Sequence, residues 1–225
     1  QFHSYTKEEA IRKNLFFHEN ELLNPLVIAY NEKWLRELSY IQDARIIAFP
    51  LKNDNNSVDL YVVTKDVFPF AGTLQFKKAD AYEASFTVEN IKNLGNSFTV
   101  YQNFDKERSD KAGWGFNYTK RNIKGSFIDL NFGANTLEKN YANGATSASS
   151  IIISGTRPLL SPLSRWTGGF EWSYSKNNNV YPGIWSDSLY NASLKYKLTH
   201  WDSWLGYQIS NSKWKFEIGR ASCRE

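Results

Sequence analysis

The hydrophobic rhythm of the chain changes across residues 58–70. Before that stretch, apolar residues recur at steps of three and four. Val27, Tyr30, Trp34, Leu38 and Ile41 form such a series, with Glu32, Lys33, Arg36 and Glu37 between them. That spacing predicts an amphipathic helix with one buried stripe. Asn24-Pro25 opens it, with Asn as cap and Pro at the first helical position, where its missing N–H costs nothing. A shorter helix is predicted from the capping box Thr6-Lys7-Glu8-Glu9 through Ala10, Ile11 and Leu15 to Phe17. Residues 44–49 then read as a strand ended by Pro50, and residues 58–64 as its hairpin partner across an Asn- and Asp-rich turn.

After Phe70 the period is two. Ala84, Phe86 and Val88 alternate with Glu83, Ser85 and Thr87; Trp114, Phe116 and Tyr118 alternate with Gly115, Asn117 and Thr119. The same pattern gives eight strand candidates between residues 82 and 217, each with one apolar and one polar face. A soluble sheet would bury the apolar face, whereas a transmembrane barrel would turn it to lipid. Three features favour the barrel. The opposite face is small or polar on almost every strand. Trp114, Trp166, Tyr190, Trp201 and Trp204 are placed at strand ends, as in an aromatic girdle. Short turns at 93–96 and 122–125 alternate with longer polar loops at 106–111 and 137–146. The two short turns also echo each other, Asn90-Ile91-Lys92-Asn93-Leu94-Gly95 against Asn122-Ile123-Lys124-Gly125-Ser126.

Composition agrees with apolar surface spread over strands. Aromatic residues make up 16% of the 225, yet no stretch approaches the ~20 apolar residues of a spanning helix. The chain begins at Gln1, has no methionine and carries no signal peptide, as expected of an internal piece of something longer. Residues 218–225, IGRASCRE, are what ATC GGA AGA GCG TCG TGT AGG GAA encodes, a DNA resembling a sequencing-library adapter. This tail is therefore expected to be foreign to the natural protein, and its Cys223, the only cysteine, says nothing of redox compartment. The net charge of +4 is spread along the chain and forms no nucleic-acid stripe.

Motifs for catalysis are nearly lacking: no nucleophile elbow, no P-loop, no zinc-protease helix. His3, His18 and His200 stand apart from one another, which predicts no metal. Asp129 and Glu171 could meet as paired carboxylates, but they read better as solvated residues of a barrel interior. No cofactor and no enzymatic activity are expected.

The order helix, helix, strand, strand resembles a POTRA domain, the periplasmic module of BamA-type outer-membrane proteins, which has one more strand in front. The matching residues are Asn24-Pro25, the run from Asn31-Glu32-Lys33-Trp34 to Ile41, Asp43-Ala44-Arg45-Ile46, and Val58-Asp59-Leu60-Tyr61-Val62; the leading strand is missing apart from Gln1-Phe2-His3. Glu89-Asn90-Ile91, followed by Leu94-Gly95-Asn96, is similar to the first barrel hairpin of that family. The resemblance implies an α+β POTRA-like module over residues 1–66, truncated at its start. A linker over 67–81 follows, then the N-terminal half of an antiparallel transmembrane β-barrel over 82–217. The lid loop and closing strands of the family barrel are not in this chain.

The resemblance also implies a function: assembly of outer-membrane proteins by strand templating. A poorly paired edge in lipid is a template for a client strand, because unsatisfied backbone groups there are costly. The edge matching the family's first barrel strand carries Tyr82, Ala84, Phe86 and Val88, and the outer strand of the module carries Ala44, Ile46 and Phe49. Asp66 matches an acidic position at the joint and is expected to pair with a basic residue as a hinge. Unfolded outer-membrane protein clients, outer-membrane lipid and accessory lipoproteins are the implied partners, nucleic acid is not, and the module would lie in the periplasm. A two-partner-secretion translocase, a porin or nutrient receptor, and a soluble glycan-binding β-protein are the alternative readings.

Overall fold

The computed structural model describes residues 5–51, 54–106, 111–136, 145–160, 164–180, 193–211, 214–216 and 221–224. Two helices and a hairpin come first: α1 (Glu8–Arg12), α2 (Pro25–Glu37), β1 (Ile41–Leu51) and β2 (Asp54–Asp66). Asn24 caps α2 as expected, its Oδ1 accepting from the Leu26 amide at 3.0 Å. The buried line of α2 is nevertheless Asn31 and Leu35, continued by Leu38 just past the helix end, while Trp34 is only half-buried. Ile41 lies beyond the helix as the first residue of β1. Leu35, Leu38, Tyr40, Ile41 and Ala44 form the small core of this module.

The capping box on α1 does not form. Lys7 occupies the cap position without a side-chain bond, Thr6 is engaged elsewhere, and Glu9 pairs with Lys13. The helix also stops well short of Phe17. Asn14 is responsible: its Nδ2 donates to the Ala10 carbonyl at 2.8 Å, while its own amide turns to the Ile11 carbonyl. A side-chain amide thus takes the carbonyl that the next helical turn would have used.

The remainder is an antiparallel meander. Its strands are β3 (Phe70–Lys78), β4 (Ala81–Ile91), β5 (Asn96–Asp105), β6 (Ala112–Lys120), β7 (Asp129–Asn135), β8 (Ala145–Arg157), β9 (Trp166–Val180) and β10 (Ser193–Tyr207), each paired with the next. A small hairpin, β11 (Ile209–Asn211) with β12 (Trp214–Phe216), follows. Finally β13 (Ala221–Arg224), from the tail, lies against β10. The described sheet has nine strands and is not closed.

Two strand expectations are corrected. Residues 67–81 are not a linker, because Phe70–Lys78 pairs along its length with β4. Its alternation is diluted by Ala71 and Gly72, which hid it in the sequence. The candidates on either side of residue 200 are one continuous strand, β10. Leu198 therefore faces the side of its partner Ser175, whereas Trp201 and Leu205 face the other.

The register lines up the faces across the sheet. One row runs Phe70, Val88, Phe98, Tyr118, Phe132, Ile153, Trp172, Trp201 through successive pairs. The opposite face carries Thr87, Thr99, Asn117, Gly133, Ile152, Ser173 and His200 in a comparable row, polar or small at every place but Ile152. Apolar side chains are the exposed ones: Phe86 is 52% accessible, Trp114 56% and Leu205 65%. On the polar face Glu83, Ser97, Asn103 and Ser150 are buried. No second layer covers the apolar face among the described residues.

Candidate functional site

Two regions can act on a partner or on each other: the joint between module and sheet, and the unpaired strand edges.

The joint is built on the two similar turns. In the β4–β5 turn Asn90, Lys92 and Gly95 are all left-handed, and so are Asn122, Lys124 and Gly125 in the β6–β7 turn. Asn90 Oδ1 accepts from the amide five residues on, Gly95, and Asn122 Oδ1 likewise from Phe127, both at 2.8 Å. Each asparagine then reaches out with its Nδ2. Asn90 donates to Thr6 Oγ1 at 2.7 Å; Asn122 donates to the Lys13 carbonyl at 2.7 Å and to Asn14 Oδ1 at 3.0 Å. The residue that closes each turn also meets a module aromatic. Tyr40 lies over Gly95, and Phe127 makes edge contacts with Phe16 and Trp34 at 5.5 and 6.3 Å between ring centres.

Behind these contacts is a buried amide network. Asn14 donates to Tyr40 Oη at 3.1 Å and accepts from Trp34 Nε1 at 3.3 Å; Asn31 donates to the Asn14 carbonyl and accepts from the Phe16 amide. Both asparagines are buried and their side chains bonded, as interior amides must be. Arg121 stands beside the network, 3.8 Å from Glu89 and 3.9 Å from Asp129. Burial pushes the Tyr40 phenol up to about 12, with Asp129 and Asp66 adding to the rise and Arg121 opposing it. Asn14 did not stand out in the sequence, and Asn31 and Tyr40 did so only as members of the run 31–41, although a polar residue on the buried side of α2 was the available signal.

The edges differ from those predicted. Tyr82, Ala84, Phe86 and Val88 lie in an interior strand, each paired on both sides, with Phe76, Leu74, Gly72 and Phe70 on β3 and with Phe104, Gln102, Val100 and Phe98 on β5. The described sheet has two edge strands, β3 and the short β13, and all nine residues of β3 are exposed. The module edge is partly closed. The Ile46 amide donates to Glu32 Oε2 at 2.8 Å, and the Ala44 carbonyl accepts from Arg36 Nε at 2.9 Å. Side chains of α2 therefore occupy the near half of the β1 edge. Phe49 lies farther out, its ring 5.2 Å from that of Tyr61 across the hairpin.

Asp66 does not pair with a base among the described residues. Its Oδ2 accepts from the Thr6 amide at 2.6 Å, which ties the end of β2 to the segment before α1. Asp129 and Glu171 are not brought together. They sit two strands apart; Asp129 accepts from the Asn122 amide, and Glu171 lies 3.9 Å from His200. Of the predicted girdle, Trp114 and Trp166 are near strand ends. Trp201 and Trp204 lie inside β10 on opposite faces, and Tyr190 is outside the described residues.

No family model and no curated protein matches the chain. Among solved structures it is similar to the crystal structure of BamA from Haemophilus ducreyi lacking POTRA domains 1–3, with a TM-score of 0.50 and 16% identity. The fold is BamA-like. The match covers 92% of this chain and 42% of the BamA chain, so the chain spans well under half of that structure. The open BamA-like sheet, with its apolar face exposed and the helices at one end of its strands, is the frame on which both candidate regions sit.

Proposed function

We propose that this chain is part of an outer-membrane β-barrel protein that assembles other barrel proteins by strand templating. The exposed apolar face carries the reading. An uncovered row from Phe70 to Trp201 is costly in water and is satisfied by hydrocarbon. The unpaired β3 edge supplies the template, since an unfolded client can add its backbone there. Residues 70–225 are 156 of the 225, so a match over 92% of the chain extends into the helical module, as expected if that module is POTRA-like and periplasmic. Lipid and unfolded outer-membrane proteins are the proposed partners, with accessory lipoproteins on the module.

The test has two arms. In vesicles containing brominated lipid, the fluorescence of Trp114 and Trp201, kept one at a time, should be quenched, and that of Trp204 on the polar face should not. No quenching of Trp114 and Trp201 overturns the membrane reading, and equal quenching of all three overturns the assignment of the lipid-facing side. Cysteines placed along β3 of the full-length protein should cross-link to a nascent barrel client. Cross-linking that favours β4 positions instead would remove β3 as the template.

A further inference from the structure

We infer that α1 is a spacer that holds two alternate turns of the sheet at a fixed separation, and so sets the curvature of β4 to β7. Neither the membrane reading nor the templating reading is needed for this. Asn90 grips the chain just before α1, at Thr6, and Asn122 grips it just after, at Lys13 and Asn14. The Lys7 amide adds a bond to the Asn93 carbonyl in the first turn. The two asparagines are equivalent by sequence, by left-handed backbone and by the bond each makes to the amide five residues on.

Length allows this role. The five helical residues Glu8–Arg12 span about 7 Å at ~1.5 Å each, and the extended Lys7 before them adds to the reach. Turns separated by two strand spacings of ~4.8 Å lie about 10 Å apart, a distance that the segment from Thr6 to Lys13 bridges. Bending or flattening the sheet moves its anchor points apart or together. The early stop of α1 at Arg12 is then a functional length, fixed by Asn14. Tyr40 on Gly95 and Trp34 on Phe127 hold the rest of the module to the same two points.

The decisive variant is Asn122→Asp. It keeps the oxygen that closes the turn on the Phe127 amide and loses the donor to Lys13 and Asn14. Hydrogen exchange in the full chain should then speed up at least about fivefold in residues 6–14 and, 32 positions away, in the Asn90 turn, with β9 and β10 unchanged. Faster exchange confined to residues 122–127 overturns the inference, because the turns would be independent. If β9 and β10 also lose protection, the variant has unfolded and Thr6→Ala decides. That change touches only the Asn90 grip and should loosen the Asn122 turn; an unaffected Asn122 turn overturns the inference.

Discussion

Single residues at the joint separate backbone strain from packing. Gly95 and Gly125 have nearly the same positive φ, +78° and +80°, so a side chain meets the same conformational cost, about 1 kcal/mol, at either position. Their surroundings differ. A Cβ on Gly95 would lie 2.5 Å from the Tyr40 ring, whereas on Gly125 its nearest neighbour is the Lys13 carbonyl at 3.9 Å. Gly125→Ala should therefore cost about 1 kcal/mol and Gly95→Ala about 1–3 kcal/mol more, read from denaturant midpoints. Tyr40 gives a pH signature. Its phenol is raised above the unfolded value, so its contribution is fully present below about pH 10 and is lost as pH rises through about 12. Absorbance titration should find one tyrosine ionising last, and Tyr40→Phe should abolish that step while costing about 1 kcal/mol for the bond from Asn14.

At the scale of elements, the outer edge of β1 depends on α2. Glu32→Ala leaves the Ile46 amide without its acceptor and should lower module stability by about 1 kcal/mol. The same change should speed exchange of that amide and raise self-association through the opened edge, measured by sedimentation. Helix and strand periods were plain in the sequence wherever one face is uniformly apolar, as in β4 to β7, and so was the Asn24 cap. Three things were not. Strand β3 carries Ala71 and Gly72, and its partner is needed to define it. β10 changes its apolar face midway, which looks like two strands when read by period alone. The end of α1 is set by the Asn14 side chain turning back on the Ala10 carbonyl, a position held by tertiary bonds from Trp34 and Asn122 that the local sequence does not show. The repeated Asn-Ile-Lys turn was visible, but the free valence of each side chain that makes it a joint was not.

For the whole molecule, the two faces of the sheet should respond differently to charge. Ile153 lies in the apolar row between Phe132 and Trp172, and Ser154 faces the other side between Asn131 and Glu171. Ile153→Arg should cost about 2–4 kcal/mol in a bilayer if that row sits near the midplane, and Ser154→Arg should be close to neutral. Equilibrium unfolding from lipid vesicles measures both. A solvated sheet would show no such asymmetry.

The order of strands in space is the order of strands in the chain, and this has a kinetic meaning. Each hairpin can form from neighbouring residues, so the sheet can grow one strand at a time with little loop-closure cost. The contacts of α1 are the exception: Thr6 waits for a partner 84 positions later, and Lys13 for one 109 positions later. Closure of the joint must follow emergence of the β6–β7 turn. During synthesis or secretion, the helices would thus remain undocked until about half of this chain has appeared, and their capture would mark the moment when the growing sheet becomes a body of fixed shape.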